Sequence, residues 1–176
     1  MFSRTALIIT SATMLLVIGL LAINRYHALR ALPSGTGAWF VTYANNQTFG
    51  FGPGGNETGF NVILLTKAGA ARVAEGGAKW LGTLSGGRVT GEWHETPVPG
   101  DDYWQGRNGS ALGRYPAPTI EAVLWRYGFG LDLPQAHQTA LDAALNSPGS
   151  FYAFGRGGLV AVIVPKTSRA YVFYAG

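Results

Sequence analysis

The chain has 176 residues, of which 13 are basic, 9 are acidic and none is cysteine, so disulfides and thiolate metal sites are excluded. Arg4, Arg25 and Arg30 precede the first acidic residue, Glu57, and the sequence from Gly35 onward has 10 basic and 9 acidic side chains. This balance argues against a basic surface for nucleic acid, and we expect no nucleic-acid partner.

The N-terminal region contains an uncharged apolar stretch, ALIITSATMLLVIGLLAI. As a helix, its 18 residues extend about 27 Å, close to the roughly 30 Å hydrocarbon core of a bilayer. Arg4 precedes the stretch and Arg25 and Tyr26 follow it, at positions that suit the membrane interface. The sequence predicts an N-terminal tail over residues 1–5, a single-pass transmembrane signal anchor over residues 6–23 and a juxtamembrane linker over residues 24–37.

Two alternatives to the anchor stay open. A cleaved signal peptide has an apolar region of about 7–15 residues followed by an A-x-A-like site, and this stretch is longer and lacks that site. A buried core helix is the other alternative, but this stretch is apolar on every face and sits at the extreme terminus of the sequence. The flanking positive charges nearly balance, but the absence of cysteine and the 12% of charged residues favour an exported domain. We expect a membrane protein of the cell envelope with its globular domain periplasmic or extracellular.

The predicted domain over residues 38–176 begins with strands and turns. Asn45-Asn46 and Pro53-Gly54-Gly55-Asn56 are typical of turns. Thr66 is a predicted N-cap for a helix over residues 67–75, which Gly76 would end. A hairpin is then predicted from residues 79–84 and 88–95 around Gly86-Gly87. The strands before the helix are predicted over residues 38–43, 48–52 and 60–65.

The second part of the domain contains helices before its last strands. Thr119 is a predicted cap for a helix over residues 120–127, and Asp132 with Gln135 has capping-box spacing for a helix over residues 133–146. Strands follow over residues 151–154, 159–164 and 170–175. The fold class predicted is α+β, with a mostly antiparallel sheet of about eight strands packed against two or three short helices.

The stretch over residues 96–118 lacks a regular period and contains four prolines. Loops longer than about 12–15 residues inside a compact domain are usually functional, disordered or a sign of an overlooked element. Aromatic residues and arginine are enriched at binding hot spots, and aromatic faces beside carboxylates also suit sugar rings. We predict a partner-binding surface here, against the alternative that the aromatic residues only pin the loop to the domain. Its residues are Asp101, Asp102, Tyr103, Trp104, Arg107 and Tyr115.

A second candidate is the pair formed by Glu92 and His94. Two residues apart on a strand, they share one face, and a carboxylate beside an imidazole can orient a general base. Asp101 or Asp102 would complete an acid/base or metal-like cluster. Polar residues that alternate on a solvated strand face are the simpler interpretation. No cofactor, metal-site or nucleotide-binding motif is present in the sequence, and we expect no cofactor and no bound metal.

The sequence thus supports two functional hypotheses. The first is a membrane-tethered, non-enzymatic binding or accessory domain that acts in the cell envelope on a protein or glycan partner. The second is a small envelope hydrolase that uses Glu92, His94 and Asp102. We favour the binding domain because a catalytic site normally shows more than a generic pair of polar residues.

Overall fold

The computed structural model describes residues 13–14, 16–17, 19, 22–23, 25–49, 56–107 and 113–176. The predicted tail over residues 1–5 and most of the predicted span over residues 6–23 lie outside these residues. Within the described part of the chain, no helix has the length and apolar character needed to cross a membrane.

The described residues form an α+β domain around one antiparallel sheet, so the predicted fold class is confirmed. The predicted number of about eight strands is wrong, because the described part of the chain contains six. Their order across the sheet is β1-β2-β6-β5-β4-β3. The strands are β1 (Ala38–Phe49), β2 (Asn56–Leu65), β3 (His94–Glu95), β4 (Phe151–Phe154), β5 (Leu159–Val164) and β6 (Arg169–Ala175).

The structure has fewer strands than predicted partly because β1 is one continuous strand. The turn predicted at Asn45-Asn46 does not form, since these residues pair with Phe60 and Gly59 of β2. The amide side chains of Asn46 and Asn61 also bond to each other across the two strands, at 3.2 and 3.4 Å. Local turn preference therefore gives way to cross-strand pairing.

The predicted hairpin over residues 79–84 and 88–95 is wrong, because helix α1 (Lys67–Leu81) occupies the first half of its first arm. The predicted cap is confirmed, with the Thr66 hydroxyl accepting from the amide of Gly69 at 3.1 Å. The helix does not end at Gly76. Gly77 instead introduces a kink at φ 60°, ψ −160°, a conformation essentially restricted to glycine, and the helix continues beyond it.

Four further helical segments with assigned bounds surround the sheet in the described residues, so the predicted two or three short helices are too few. One of the four lies in the predicted irregular loop. Thr119 caps its helix as predicted, by accepting from the Glu121 amide. Asp132 does not cap the next helix, because Pro134 occupies the N-cap position without a side-chain bond. The segments are α2 (Asp102–Gln105), α3 (Ile120–Leu124), α4 (Gln135–Leu145) and a 3-10 helix (Pro165–Thr167).

Both faces of the sheet are covered, which gives three layers. Every residue of β5 is buried, as predicted for a central strand. Alternate side chains of β5 belong to two cores, so that Ala161 and Ile163 pack toward α1 while Val160 and Val162 pack toward α3 and α4.

The segment that precedes β1 is part of the domain. Ala31, Leu32 and Thr36 are buried, and the amide of Arg88 donates to the carbonyl of Ala31 at 3.0 Å. Ala28, Ala31 and Leu32, which lie in the segment assigned by sequence to a linker, therefore pack on the same core as α1.

Candidate functional site

A cavity lies between the loop over residues 96–118 and the end of α3. It has a volume of about 480 Å³, within the range of roughly 300–1,000 Å³ typical of ligand pockets. We call it the loop cavity. Three of the residues predicted to bind a partner, Asp102, Arg107 and Tyr115, contribute to its wall. The described lining is Asp102, Gly106, Arg107, Gly113, Tyr115, Ala122, Trp125, Arg126, Tyr127 and Gly128.

Asp101 organises the first turn of the loop rather than lining the cavity. Its Oδ1 accepts from the amides of Tyr103 at 2.9 Å and Trp104 at 3.2 Å, which is the pattern of an N-cap. The two arms of the loop are also joined through the backbone, because the amide of Tyr115 donates to the carbonyl of Gln105 at 2.8 Å. These bonds therefore hold the described arms of the loop, around residues 101–105 and Tyr115, to each other.

Trp104 is buried, with 1% of its surface exposed. Its ring packs edge-to-face on Tyr152, with the ring centroids 5.6 Å apart, and the Tyr103 ring packs on Phe154 at 5.1 Å in the same geometry. Aromatic pairs of this kind contribute about 0.5–1.5 kcal/mol beyond the area they bury. Trp104 therefore attaches the loop to the sheet and does not line the cavity.

Arg126 connects the Tyr103 ring with the cavity. Its guanidinium carbon lies 3.9 Å from the Tyr103 ring centroid, and its Nη2 donates to the Tyr103 carbonyl at 2.7 Å. Burial raises the pKa of the Tyr103 phenol to about 12, although the positive charge of Arg126 opposes this increase. The Nε of Arg126 is buried and has no hydrogen-bond partner within the described part of the chain.

An ion pair marks the rim of the cavity. The Nη1 of Arg114 lies 3.1 Å from Oδ1 of Asp102, and its Nη2 donates to Oε1 of Gln105 at 2.7 Å. Because both charged side chains are partly exposed, this pair contributes roughly 0–1 kcal/mol. Its main consequence is geometric, since it fixes the Asp102 carboxylate beside the opening.

The α3 wall is positioned by Asp142 of α4. Its Oδ1 accepts from the amide of Ile120 at 2.7 Å, and its Oδ2 accepts from the hydroxyl of Thr119 at 3.1 Å. Burial raises the pKa of Asp142, and these two hydrogen bonds partly offset the increase. The carboxylate thus satisfies the N-terminus of α3 and fixes the helix that carries the Trp125 side of the cavity.

Sequence reasoning missed Trp125, Arg126 and Tyr127, which form one wall. Tyr127 is exposed and Trp125 is half-buried. Their sequence has the composition that marked the loop as a binding surface, since two aromatic residues flank an arginine. They were nevertheless assigned to an amphipathic helix. That helix ends at Leu124, so the three residues lie in the turn that follows it.

Glu92 and His94 are exposed. His94 lies in β3 opposite Tyr152, and its ring centroid is 5.3 Å from that of Tyr152. Across the described residues, no ion pair joins Glu92 to His94, and no three His, Asp or Glu side chains are grouped so as to hold a metal ion. The described residues therefore add no support to the hydrolase hypothesis, which needs Glu92, His94 and Asp102 together.

Comparisons with protein-family models, with curated proteins and with solved structures returned no match for this chain. The described lining offers three aromatic rings, two arginines and one carboxylate, and it contains no histidine, serine or cysteine. These groups suit stacking and hydrogen bonding to a ligand.

Proposed function

We propose that the protein is a membrane-tethered, non-enzymatic binding domain that acts in the cell envelope on a protein or glycan partner. The observation that carries this proposal is the loop cavity, where aromatic rings, arginines and a carboxylate converge on about 480 Å³. Sequence reasoning selected part of this surface independently, through Asp102, Arg107 and Tyr115.

The chemistry of the wall indicates which groups of a partner would enter the cavity. Tyr115, Trp125 and Tyr127 offer faces on which a sugar ring or an apolar side chain can stack. Burial and the neighbouring Glu121 carboxylate, to which the hydroxyl donates, raise the pKa of the Tyr115 phenol, so the face of this ring is the part offered to a partner. Arg107 supplies further donors for a sugar hydroxyl or a carboxylate.

Support for the tether comes from the sequence. The apolar stretch over residues 6–23 is long enough to cross a bilayer as a helix, and arginines flank it. Export is favoured by the lack of cysteine and by the low charge content. The partner is then another component of the membrane or of the envelope.

The binding test uses the full-length chain in its native membranes, with a photo-crosslinking amino acid at Tyr127 on the cavity rim. The matched control carries the same amino acid at Glu75, which is exposed on α1, on the opposite face of the sheet. We expect a discrete adduct from position 127 only, and its loss when Trp125→Ala is added. Soluble fragments of envelope glycans, titrated against the detergent-solubilised chain, identify a glycan partner by the same dependence on Trp125. If neither assay depends on Trp125, the loop cavity is not the binding site.

The tether is tested separately. Membranes that contain the full-length chain are washed with alkaline carbonate, which removes peripheral proteins, and a C-terminal reporter that is active only outside the cytoplasm gives the orientation. We expect the chain to stay in the membrane fraction and the reporter to be active. Release of the chain by carbonate contradicts the tether, and an inactive reporter contradicts the envelope location.

A further inference from the structure

An exposed group of aromatic and basic side chains lies where the chain enters the domain. Three of its members, Tyr26, Trp39 and Phe40, are among the exposed large hydrophobic residues, and 56% of the Trp39 surface is exposed. Arg25 and Arg30 lie beside them. We call these five residues the entry patch.

The entry patch is held together by ring contacts. The guanidinium carbon of Arg25 lies 5.8 Å from the Phe40 ring centroid, and the Phe40 ring lies 5.6 Å from that of Trp39. The guanidinium carbon of Arg30 lies 5.3 Å from the Tyr26 ring centroid, and its Nη1 donates to the Tyr26 hydroxyl at 2.8 Å. Arg25 therefore joins the helical turn over residues 25–29 to the start of β1, and the pair of Tyr26 and Arg30 continues the patch along the same turn.

A bulge in β1 explains why Trp39 and Phe40 are exposed together. In a regular strand, neighbouring side chains point to opposite faces. Here Ala38 pairs with Leu65 and Phe40 pairs with Leu64, so β1 advances two residues while β2 advances one. An extra residue of this kind re-aims the local side chains. Two adjacent aromatic residues are thereby turned outward at the edge of the sheet.

We propose that the entry patch lies in the headgroup region of the bilayer and fixes the orientation of the domain on the membrane surface. This proposal rests on the tether described above and deepens it. Arg25 follows the apolar stretch over residues 6–23 after a single intervening residue, Asn24, so a spanning helix would deliver the patch to the interface.

The composition of the patch matches this location. Trp and Tyr are enriched at membrane interfaces because their rings are apolar and their edges are polar, and arginine can extend its charge toward the lipid phosphates. No acidic residue precedes Glu57 in the sequence, so the patch is free of neighbouring carboxylates from its own segment. An anionic lipid surface is the occupant that this combination of positive charge and aromatic rings recognises.

Because the entry segment is packed on the domain, contact between the entry patch and the lipid would also fix the orientation of the domain. Ala28, Ala31 and Leu32 are buried in the same core as α1, so the helical turn that carries Tyr26 does not move independently of the sheet. A flexible linker would leave the domain free to rotate. Here the chain that leaves the bilayer is packed on the domain, and the patch sets the face that meets the lipid.

The test uses the full-length chain in vesicles of phosphatidylcholine and phosphatidylglycerol, part of which carry bromine near the headgroup end of the acyl chain. Bromine quenches tryptophan emission on contact. We expect quenching in the parent protein, its loss in Trp39→Phe, and its retention in Trp125→Phe, because Trp125 lies in the loop cavity on the other side of the sheet. Emission from Trp39 that bromine leaves unchanged overturns the proposal, including the case in which a protein partner covers the patch.

A second measurement does not depend on the Trp39 substitution. Because the chain has no cysteine, Phe40→Cys can be labelled at one position with an environment-sensitive fluorophore, and Tyr127→Cys serves as the matched exposed control. We expect a blue-shifted, bromine-quenched signal at position 40 and neither change at position 127. Equal signals at the two positions contradict the proposed orientation.

If the chain stays in carbonate-washed membranes without quenching at positions 39 and 40, only the orientation is wrong. If carbonate releases the chain, the tether itself is wrong, and this inference falls with it.

Discussion

The guanidinium carbon of Arg126 lies 3.9 Å from the centroid of the Tyr103 ring, while the same side chain donates to the Tyr103 carbonyl at 2.7 Å. A cation held over an aromatic face contributes about 0.5–2 kcal/mol, more as it is desolvated. Together the two contacts join the turn after α3 to the loop over residues 96–118. This link closes one side of the loop cavity.

The partly buried Tyr103 phenol makes the stability of the fold depend on pH in the alkaline range. Burial raises its pKa from 10.0 to about 12, so the unfolded chain loses the phenol proton first. The contribution is complete below pH 10 and disappears as pH rises toward the folded pKa. Between pH 10 and 11 this group alone lowers the free energy of unfolding by about 1 kcal/mol.

Tyr103→Phe removes the ionisable group and keeps the ring beneath Arg126. We expect this variant to lose about 1 kcal/mol less than the parent over that pH interval, as measured by urea unfolding at each pH. Tyr26→Phe, at an exposed tyrosine outside the loop, should follow the parent. An identical alkaline loss in Tyr103→Phe and the parent would show that the Tyr103 phenol is not the group responsible.

Two aspartates test whether α3 depends on a capping group that is distant in the sequence. Asp142→Ala leaves the amide of Ile120 and the hydroxyl of Thr119 without their acceptor, and we expect a loss of roughly 1–3 kcal/mol in the free energy of unfolding. Asp142→Asn keeps one acceptor oxygen and should lose less. The matched control is Asp132→Ala, because Asp132 is exposed and does not cap α4. Equal stability of the two alanine variants would contradict the capping role of Asp142.

The helix caps also show which features of the fold can be predicted from the sequence. The cap at Thr119 was predictable because the hydroxyl bonds to an amide two residues away. The role of Asp142 was not, since its partners lie 22 and 23 residues away and depend on how α3 and α4 pack. Strand β5 was predicted with its correct bounds because its continuous apolar run requires burial on both faces. The bulge in β1 that exposes Trp39 depends on the register with β2, which no local pattern reports.

The candidate site follows the same division. Composition identified the loop over residues 96–118 and three of the cavity residues. It could not distinguish Trp104, which is buried against Tyr152, from Tyr127, which is exposed, because both are aromatic residues beside polar neighbours. Which aromatic ring supports the loop and which one faces a partner is decided by tertiary packing.

Helix α1 provides a test of backbone strain. Gly77 has φ 60° and ψ −160°, where a side chain is strained by about 1–3 kcal/mol. We expect Gly77→Ala to lower the free energy of unfolding by that amount. Gly82 at the end of the same helix has φ −66°, and an added Cβ would meet its neighbours at ordinary contact distances, so Gly82→Ala should stay within about 0.5 kcal/mol of the parent. A neutral Gly77→Ala, measured by the same urea unfolding, would mean that the kink is not fixed by Gly77.

The position of Trp125 in the cavity wall depends on Gly130. A Cβ at position 130 would overlap the Trp125 ring, and since the ring packs directly on this glycine, Gly130→Ala must displace it. If the partner stacks on Trp125, both Gly130→Ala and Trp125→Ala should weaken binding by about tenfold or more, which corresponds to roughly 1.4 kcal/mol. The measurement is the yield of the adduct from position 127 as a function of partner concentration.

Gly149→Ala is a suitable control for general effects of a new methyl group, because its φ of +94° imposes strain while nothing lies within 4 Å of the added Cβ. Two outcomes contradict this prediction. If Gly130→Ala binds fully and the emission spectrum of Trp125 is unchanged, the ring keeps its place without the glycine. If Gly130→Ala binds fully and the spectrum is shifted, the partner does not use this ring.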